Sequence, residues 1–104
     1  MKQIEKDLRV AIARREAFRQ SNTEYDPTSG KVFLFGNVIA CETREGWRYS
    51  LAGWPTATTR SRLKALGLPL WTKAGRTYLG TGPDARELDD HEWFTSTNCP
   101  EPVL

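Results

Sequence analysis

The sequence contains few of the residues from which catalytic and metal sites are built. Its 104 residues include two cysteines, Cys41 and Cys99, and a single histidine, His91. A zinc or iron site needs several ligands in a fixed geometry, and none of these residues has the spacing for one. No phosphate-binding loop, nucleophile elbow or metalloprotease pattern is present. The sequence therefore predicts a non-enzymatic protein without a metal or a cofactor.

Long apolar runs are also absent. A membrane-spanning helix needs about 20 consecutive apolar residues, and a secretory signal places a shorter apolar run behind a basic start. The chain has neither, so we expect a cytoplasmic protein with two free thiols and no membrane partner. Apolar residues make up 38% of the chain and aromatic residues 11%, which favours one small folded domain over residues 1–104 rather than disorder.

The net charge of +2 conceals a strong asymmetry along the chain. Residues 44–76 carry seven basic and one acidic side chain, whereas residues 77–104 carry one basic and six acidic side chains. A basic centre attracts nucleic acid, and an acidic tail shields that centre or repels nucleic acid from it. The overall charge is too small to decide between these roles.

The clearest helix signal lies in the middle of the chain. Thr56 or Thr58 can cap the unpaired amides of a first helical turn, and Gly67 is the expected left-handed stop. The sequence thus predicts a helix from Thr56 or Thr58 to about Leu66. Thr59, Leu63 and Leu66 share its inner face.

The opposite face of this helix is basic, and it indicates either a solvated surface or a partner-binding one. Arg60 and Lys64 lie on that face with Arg62 at its flank, and Trp54 precedes the helix. We predict a partner-binding surface that also draws on the later hairpin and the acidic tail. Its residues are Trp54, Arg60, Arg62, Lys64, Lys73, Arg76, Asp89, Asp90 and Glu92.

The remaining patterns complete an α+β fold. Residues 2–20 predict an N-terminal helix, with Ile4, Leu8, Ala11, Ile12 and Phe18 on one apolar stripe. Residues 22–30 are rich in turn formers and predict a loop. Residues 31–52 alternate around turns and predict a three-stranded antiparallel meander.

Glycine and aspartate residues predict the hairpin turns and the start of the C-terminal segment. Gly36-Asn37 predicts a two-residue hairpin turn of type II′, and residues 68–79 predict a second hairpin. Asp84 or Asp89 can begin a short C-terminal helix that runs to about Phe94, and the alternative is a tail without a helix. Trp93 and Phe94 are expected to dock this acidic tail, residues 81–104, on the core.

Three features of residues 31–80 form a recognisable pattern: Gly53-Trp54-Pro55-Thr56-Ala57-Thr58-Thr59, the basic helix around Leu63, and the hairpin that ends in Tyr78. In this pattern the chain resembles a family of small proteins encoded by tailed phages and related mobile elements. The chain departs from the family pattern at Lys64, where Asn is frequent, and at Tyr78, where Trp is frequent. The resemblance implies a phage or prophage origin and a small α+β domain, so the cytoplasm expected above is that of the host. It transfers no catalytic residue.

Three hypotheses about function follow. The first is a phage accessory protein that binds a host protein, as an inhibitor of a defence complex of the anti-CRISPR kind or of another host complex. The second is a nucleic-acid-binding module that uses the basic face of residues 48–76, since helix, three strands and helix is the order of double-stranded-RNA-binding domains. The third is a virion or scaffold component that forms homo-oligomers.

Overall fold

The structure is a computed structural model, and it describes residues 1–95. Its two helices are α1 (Gln3–Arg14) and α2 (Ala57–Ala65). Its strands are β1 (Phe18–Gln20), β2 (Thr23–Asp26), β3 (Lys31–Leu34), β4 (Asn37–Thr43), β5 (Gly46–Tyr49), β6 (Leu70–Lys73), β7 (Arg76–Leu79) and β8 (Arg86–Glu87). A short 3-10 helix covers Gly82–Asp84. The predicted α+β class is confirmed.

The strands form two antiparallel sheets. The first is a five-stranded meander in the order β1-β2-β3-β4-β5, and the second is a three-stranded sheet in the order β6-β7-β8. The predicted hairpin over residues 68–79 is confirmed, but it belongs to the second sheet and does not extend the meander. Among residues 1–95, neither helix is both long and apolar enough to cross a membrane.

The N-terminal helix is shorter than its apolar stripe predicted. Leu8, Ala11 and Ile12 are buried as expected, but α1 ends because Arg15 adopts the left-handed conformation with φ 53°. Phe18 is not helical, and lies opposite Tyr25 in the pairing of β1 with β2. Backbone pairing at the sheet edge therefore overrides the helical preference of residues 15–20.

The predicted three-stranded antiparallel meander over residues 31–52 is confirmed by β3, β4 and β5, but the predicted loop over residues 22–30 is wrong. Residues 22–30 were expected to form a loop, yet Thr23–Asp26 is a strand in which Thr23 and Tyr25 are buried. The alternation of β-branched and aromatic residues is a strand signal. The turn formers Asp26, Pro27 and Gly30 outweigh that signal in the sequence, although they form only the turn that follows.

The first hairpin turn also differs from the prediction. Leu34 pairs with Asn37, so the two central residues are Phe35 and Gly36 rather than Gly36 and Asn37. Both have positive φ, 51° and 80°. Positive φ at both central residues defines a type I′ turn, not type II′.

The helix α2 begins and ends as the sequence predicts. The hydroxyl of Thr56 accepts a hydrogen bond from the Thr59 amide at 3.2 Å. At the other end Gly67 has φ 101°, its N–H donates to Lys64, and the Leu68 N–H donates to Leu63. This pair of bonds is a Schellman motif. Thr59, Leu63 and Leu66 are buried, which confirms the predicted inner face.

The segment after the second sheet is extended, and the predicted C-terminal helix is wrong. We call residues 88–94 the strap. The Leu88 N–H donates to the Thr77 carbonyl, and Phe94 exchanges two backbone hydrogen bonds with Tyr49. Phe94 is buried as expected, but Trp93 is exposed. The strap therefore joins the small sheet to the edge of β5.

Candidate functional site: an apolar groove between Phe35 and Trp54

A groove of about 360 Å³ separates the tip of the β3–β4 hairpin from the loop that joins β5 to α2. Its apolar lining residues are Leu34, Phe35, Ile39, Leu51, Ala52 and Trp54. Asn37, Thr56 and Thr59 complete the lining, and no charged side chain is among these residues. The groove is therefore suited to an uncharged, apolar occupant.

Phe35 forms one wall of the groove, and its position is not explained by the turn that it occupies. The side chain is 71% exposed, and φ of 51° places the residue in the left-handed region. A non-glycine residue there costs on the order of 1 kcal/mol, and Asn, Asp and Gly are the residues that type I′ turns favour. An exposed aromatic at a strained position indicates a role outside the fold.

Trp54 also lines the groove and is 61% exposed. Its backbone is fixed, because its N–H donates to the Leu51 carbonyl at 2.9 Å and its carbonyl accepts from the Thr56 N–H at 2.8 Å. Ala52 and Gly53, just before it, have φ of 55° and 76°. The indole is thus held outside the core by a tightly bent loop.

The threonine hydroxyls at the end of the groove are occupied within the chain. Thr56 caps α2, and its Oγ1 lies 3.1 Å from the Oγ1 of Thr59. Thr59 is buried. These contacts agree with the structural role expected of Thr56 and Thr59.

Arg62 does not lie on the basic surface to which the sequence assigned it. The side chain is 4% exposed, and its Nη1 lies 2.8 Å from Oε2 of Glu5 on α1. Its Nε donates to Thr23 and its Nη2 donates to Asn22. The guanidinium therefore joins α2 to α1 and to the β1–β2 turn, and it is not available to a partner.

The carboxylate of Glu5 is held in its charged form by the same contacts. Burial by itself would raise the pKa of Glu5, but hydrogen bonds from Ser61 and Arg62 outweigh it and hold the pKa below its ordinary value. The Lys2 backbone N–H also donates to this carboxylate. The buried pair is thus satisfied on both sides.

The other predicted basic residues differ in how far they are available to a partner. Arg60 is half-buried and donates to the Pro55 carbonyl, and Arg76 forms an exposed ion pair with Glu87 at 3.0 Å. Lys64 and Lys73 are exposed and have no ion pair within residues 1–95. The predicted basic surface is therefore weaker than its sequence suggests.

The predicted acidic residues belong to the strap. The Asp89 carboxylate accepts from the His91 N–H, and the Glu92 carboxylate accepts from the Asp89 N–H and pairs with Arg86. Asp90 is exposed, and its backbone carbonyl accepts from the Gly53 N–H at 2.8 Å. Two of the three carboxylates thus shape the strap, and the strap touches the loop that carries Trp54.

A second aromatic surface lies on the outer side of the three-stranded sheet. Trp71 and Tyr78 face each other across β6 and β7, with ring centroids 4.4 Å apart and an interplanar angle of 16°. Lys73 and Arg76 form the next pair on the same face, because alternate residues of a strand share a face. This face combines stacked rings with basic side chains.

The sequence predicted Trp54 as part of a site but missed Phe35 and the groove itself. The available signal was Phe35-Gly36, where Asn-Gly is the usual type I′ pair. Cys41 is a free thiol as expected, whereas Cys99 lies outside the described residues. Among residues 1–95, no group of three or more His, Cys, Asp or Glu side chains has an arrangement that could hold a metal ion.

The chain was compared with protein families, curated proteins and solved structures. The model of a protein family described as Kyanoviridae Gp96 protein matches residues 1–98. No curated protein and no solved structure matches the chain. The match confirms the predicted phage protein family, and it extends beyond residues 31–80 into α1 and the strap. It does not test the Gly-Trp-x-Thr-x-Thr-Thr pattern.

Proposed function

This chain belongs to the Kyanoviridae Gp96 protein family, a family of phage proteins, and on that premise we propose that it binds a host protein through the Phe35–Trp54 groove. It acts in the host cytoplasm, without chemistry of its own, as an inhibitor of a defence complex or of another host complex. The observation that carries this proposal is the uncharged groove between two aromatic side chains that are 71% and 61% exposed.

The chemistry of the groove selects the kind of occupant. Leu34, Ile39, Leu51 and Ala52 offer apolar surface, and the lining contains no charge. A phosphate group would find no counter-ion there, whereas a large apolar side chain of a protein would bury its surface. The occupant that we propose is therefore an apolar side chain that projects from a host protein.

Phe35 and Trp54 are suited to act as anchors for that occupant. Binding energy at protein interfaces is concentrated in a few aromatic or arginine side chains near the centre of the contact. The backbone of Trp54 is already fixed by two hydrogen bonds within the loop. A fixed anchor loses little conformational freedom on binding, which favours affinity.

The same structure reduces the support for a double-stranded-RNA-binding module. Five strands, not three, lie between α1 and α2, so the order of elements differs from the arrangement that suggested this function. Arg62 is buried and Arg76 is paired with Glu87. Fewer free cations remain for contact with a phosphate backbone.

One observation favours a different nucleic-acid function as the second candidate. The stacked rings of Trp71 and Tyr78 lie on one sheet face beside Lys73, which is exposed, and beside the ion pair of Arg76 and Glu87. Single-stranded nucleic acid is bound by aromatic rings that stack on bases together with basic groups near the backbone. The second candidate is therefore single-strand binding by this face, in which Trp71→Ala lowers affinity and salt weakens binding steeply.

Capture from host lysate separates the two candidates. The tagged protein is incubated with lysate with and without nuclease, in parallel with Trp54→Ala, with Trp71→Ala and with Val10→Ala, which removes an exposed apolar side chain on α1. We expect one host protein to be retained after nuclease treatment, to be lost with Trp54→Ala, and to be kept with the other two variants. Recovery of nucleic acid alone, lost with Trp71→Ala, would contradict the groove proposal and support the second candidate.

A further inference from the structure

We infer that the strap sets the position of Trp54, and that His91 is the positioning residue through which it acts. This inference rests on the proposed function for its biological meaning, because it concerns the same groove. Gly53 lies between two groove-lining residues, Ala52 and Trp54. The strap contacts the loop at Gly53, so it reaches the wall of the groove without lining it.

Two contacts join the strap to Gly53. The Gly53 N–H donates to the Asp90 carbonyl at 2.8 Å. The His91 ring lies against the glycine so closely that a Cβ at this position would stand 2.7 Å from its Cε1 atom. Since φ of Gly53 is 76°, both the backbone conformation and the imidazole require glycine here.

Hydrogen bonds hold the backbone of the strap in place, so the strap can fix the position of the loop that it contacts. Its two ends are tied to Thr77 and Tyr49 by backbone hydrogen bonds of 2.8–2.9 Å. Between them, the Asp89 carboxylate accepts from the His91 N–H, and the Glu92 carboxylate accepts from the Asp89 N–H, each at 2.8 Å. These bonds fix the backbone that carries the imidazole.

The loop has few other restraints at this point. The Ala52 N–H donates to the Ser50 hydroxyl at 3.0 Å, and the Trp54 N–H donates to the Leu51 carbonyl at 2.9 Å. Both bonds are local to the loop. Leu51 and Ala52 pack on the core, and at Gly53 itself the contacts with Asp90 and His91 tie the bend to a distant part of the chain, so their loss should release Trp54.

The test compares His91→Ala with two matched variants of the full chain. The variant His91→Phe keeps a flat ring over Gly53. The variant Asp90→Ala removes an exposed carboxylate but keeps the backbone carbonyl that accepts from the Gly53 N–H. His91 is exposed, so we expect all three variants to fold. Hydrogen exchange of the Gly53 amide and the indole N–H signal of Trp54, assigned with Trp54→Phe, are followed by NMR.

His91→Ala should speed exchange of the Gly53 amide by about tenfold, because local opening becomes easier, and should shift the Trp54 indole signal. His91→Phe should restore both, and Asp90→Ala should leave both unchanged. The Leu68 amide, which is bonded inside the α2 terminus, should exchange equally in all variants. Wild-type behaviour of His91→Ala, or equal behaviour of His91→Ala and His91→Phe, would overturn the inference.

Capture of the host protein is a separate readout. If His91→Ala changes the Gly53 and Trp54 signals while Trp54→Ala leaves capture intact, the proposed function fails and the positioning role stands. If Trp54→Ala abolishes capture while His91→Ala leaves both NMR signals unchanged, the positioning role fails and the proposed function stands.

Discussion

Two regions of the molecule depart in opposite directions from the usual division of residues between interior and surface. Between α1 and α2, the charged pair Glu5 and Arg62 is buried, whereas around the groove the aromatic residues Phe35 and Trp54 are exposed. All three nitrogens of the Arg62 guanidinium group donate to side chains of the same chain. The buried charges thus find their partners within the chain, whereas the exposed aromatic residues indicate an external partner.

Arg62→Ala tests the internal half of this comparison and should have the largest effect. It leaves the Glu5 carboxylate buried without its counter-ion, which typically costs about 3–5 kcal/mol of stability. Chemical denaturation should show the loss as a lower midpoint. Arg60→Ala, two residues away and half-buried, is the matched control and should change stability by about 0.5 kcal/mol or less. Equal effects of the two variants would contradict the account.

Trp54→Ala tests the external half. It should lower affinity for the captured host protein by about 2 kcal/mol, or roughly thirtyfold. Its stability should stay within about 0.5 kcal/mol of the wild type, because a largely exposed side chain contributes little to the core. Binding is measured by titration of the captured protein, and stability by denaturation. A large loss of stability would show that Trp54 serves the fold instead.

Acid should weaken the contact that Glu5 makes between α1 and α2, whereas the groove is lined by uncharged side chains. The pKa of Glu5 in the folded state lies below its ordinary value of 4.5. Its negative charge therefore contributes its full stabilisation of the fold at pH values above 4.5. This contribution is lost as the pH falls through the lower, folded-state pKa. We expect Glu5→Gln to be less stable than wild type at neutral pH and to show a shallower loss between about pH 5 and pH 2. An equal loss of stability in wild type and in Glu5→Gln between about pH 5 and pH 2 would contradict this role.

The smallest expected effect comes from a pair of matched turns. Phe35-Gly36 and Ala74-Gly75 have nearly the same φ values, 51° and 80° against 53° and 78°. Asn is favoured in such turns, so Phe35→Asn and Ala74→Asn should each raise stability by a similar amount, about 0.5 kcal/mol. Thermal unfolding measures both. A clear loss with Phe35→Asn alone would show that Phe35 is retained for stability.

The parts of the fold that sequence reasoning predicted are those specified by neighbouring residues. Both ends of α2 follow from Thr56 and Gly67, each of which acts within a few positions. The strands β1 and β2 were missed because Phe18 and Tyr25 gain their structure by pairing with each other and with β3. The local strand signal of residues 23–26 is short, and the turn formers that lie nearby outweigh it.

The site was harder to predict, because it depends on contacts between distant residues. A helical wheel places Arg62 on the flank of α2, but it does not show that α1 brings Glu5 to that flank. Phe35 and Trp54 come from separate loops, and their common groove exists only after the meander and α2 have packed. Trp54 was predicted as a partner-binding residue, but no local pattern shows that Phe35 lines the same groove.

Site-specific photocrosslinking in host cells tests the central claim most directly. A photoreactive benzoyl-phenylalanine is placed at position 35 in one protein and at position 74 in another, so the two probes occupy equivalent turns on different parts of the surface. We predict that the probe at 35 forms a covalent adduct with one host protein and that the probe at 74 does not. No adduct from position 35, or the same adduct from both positions, would contradict the proposal that the groove is the binding site.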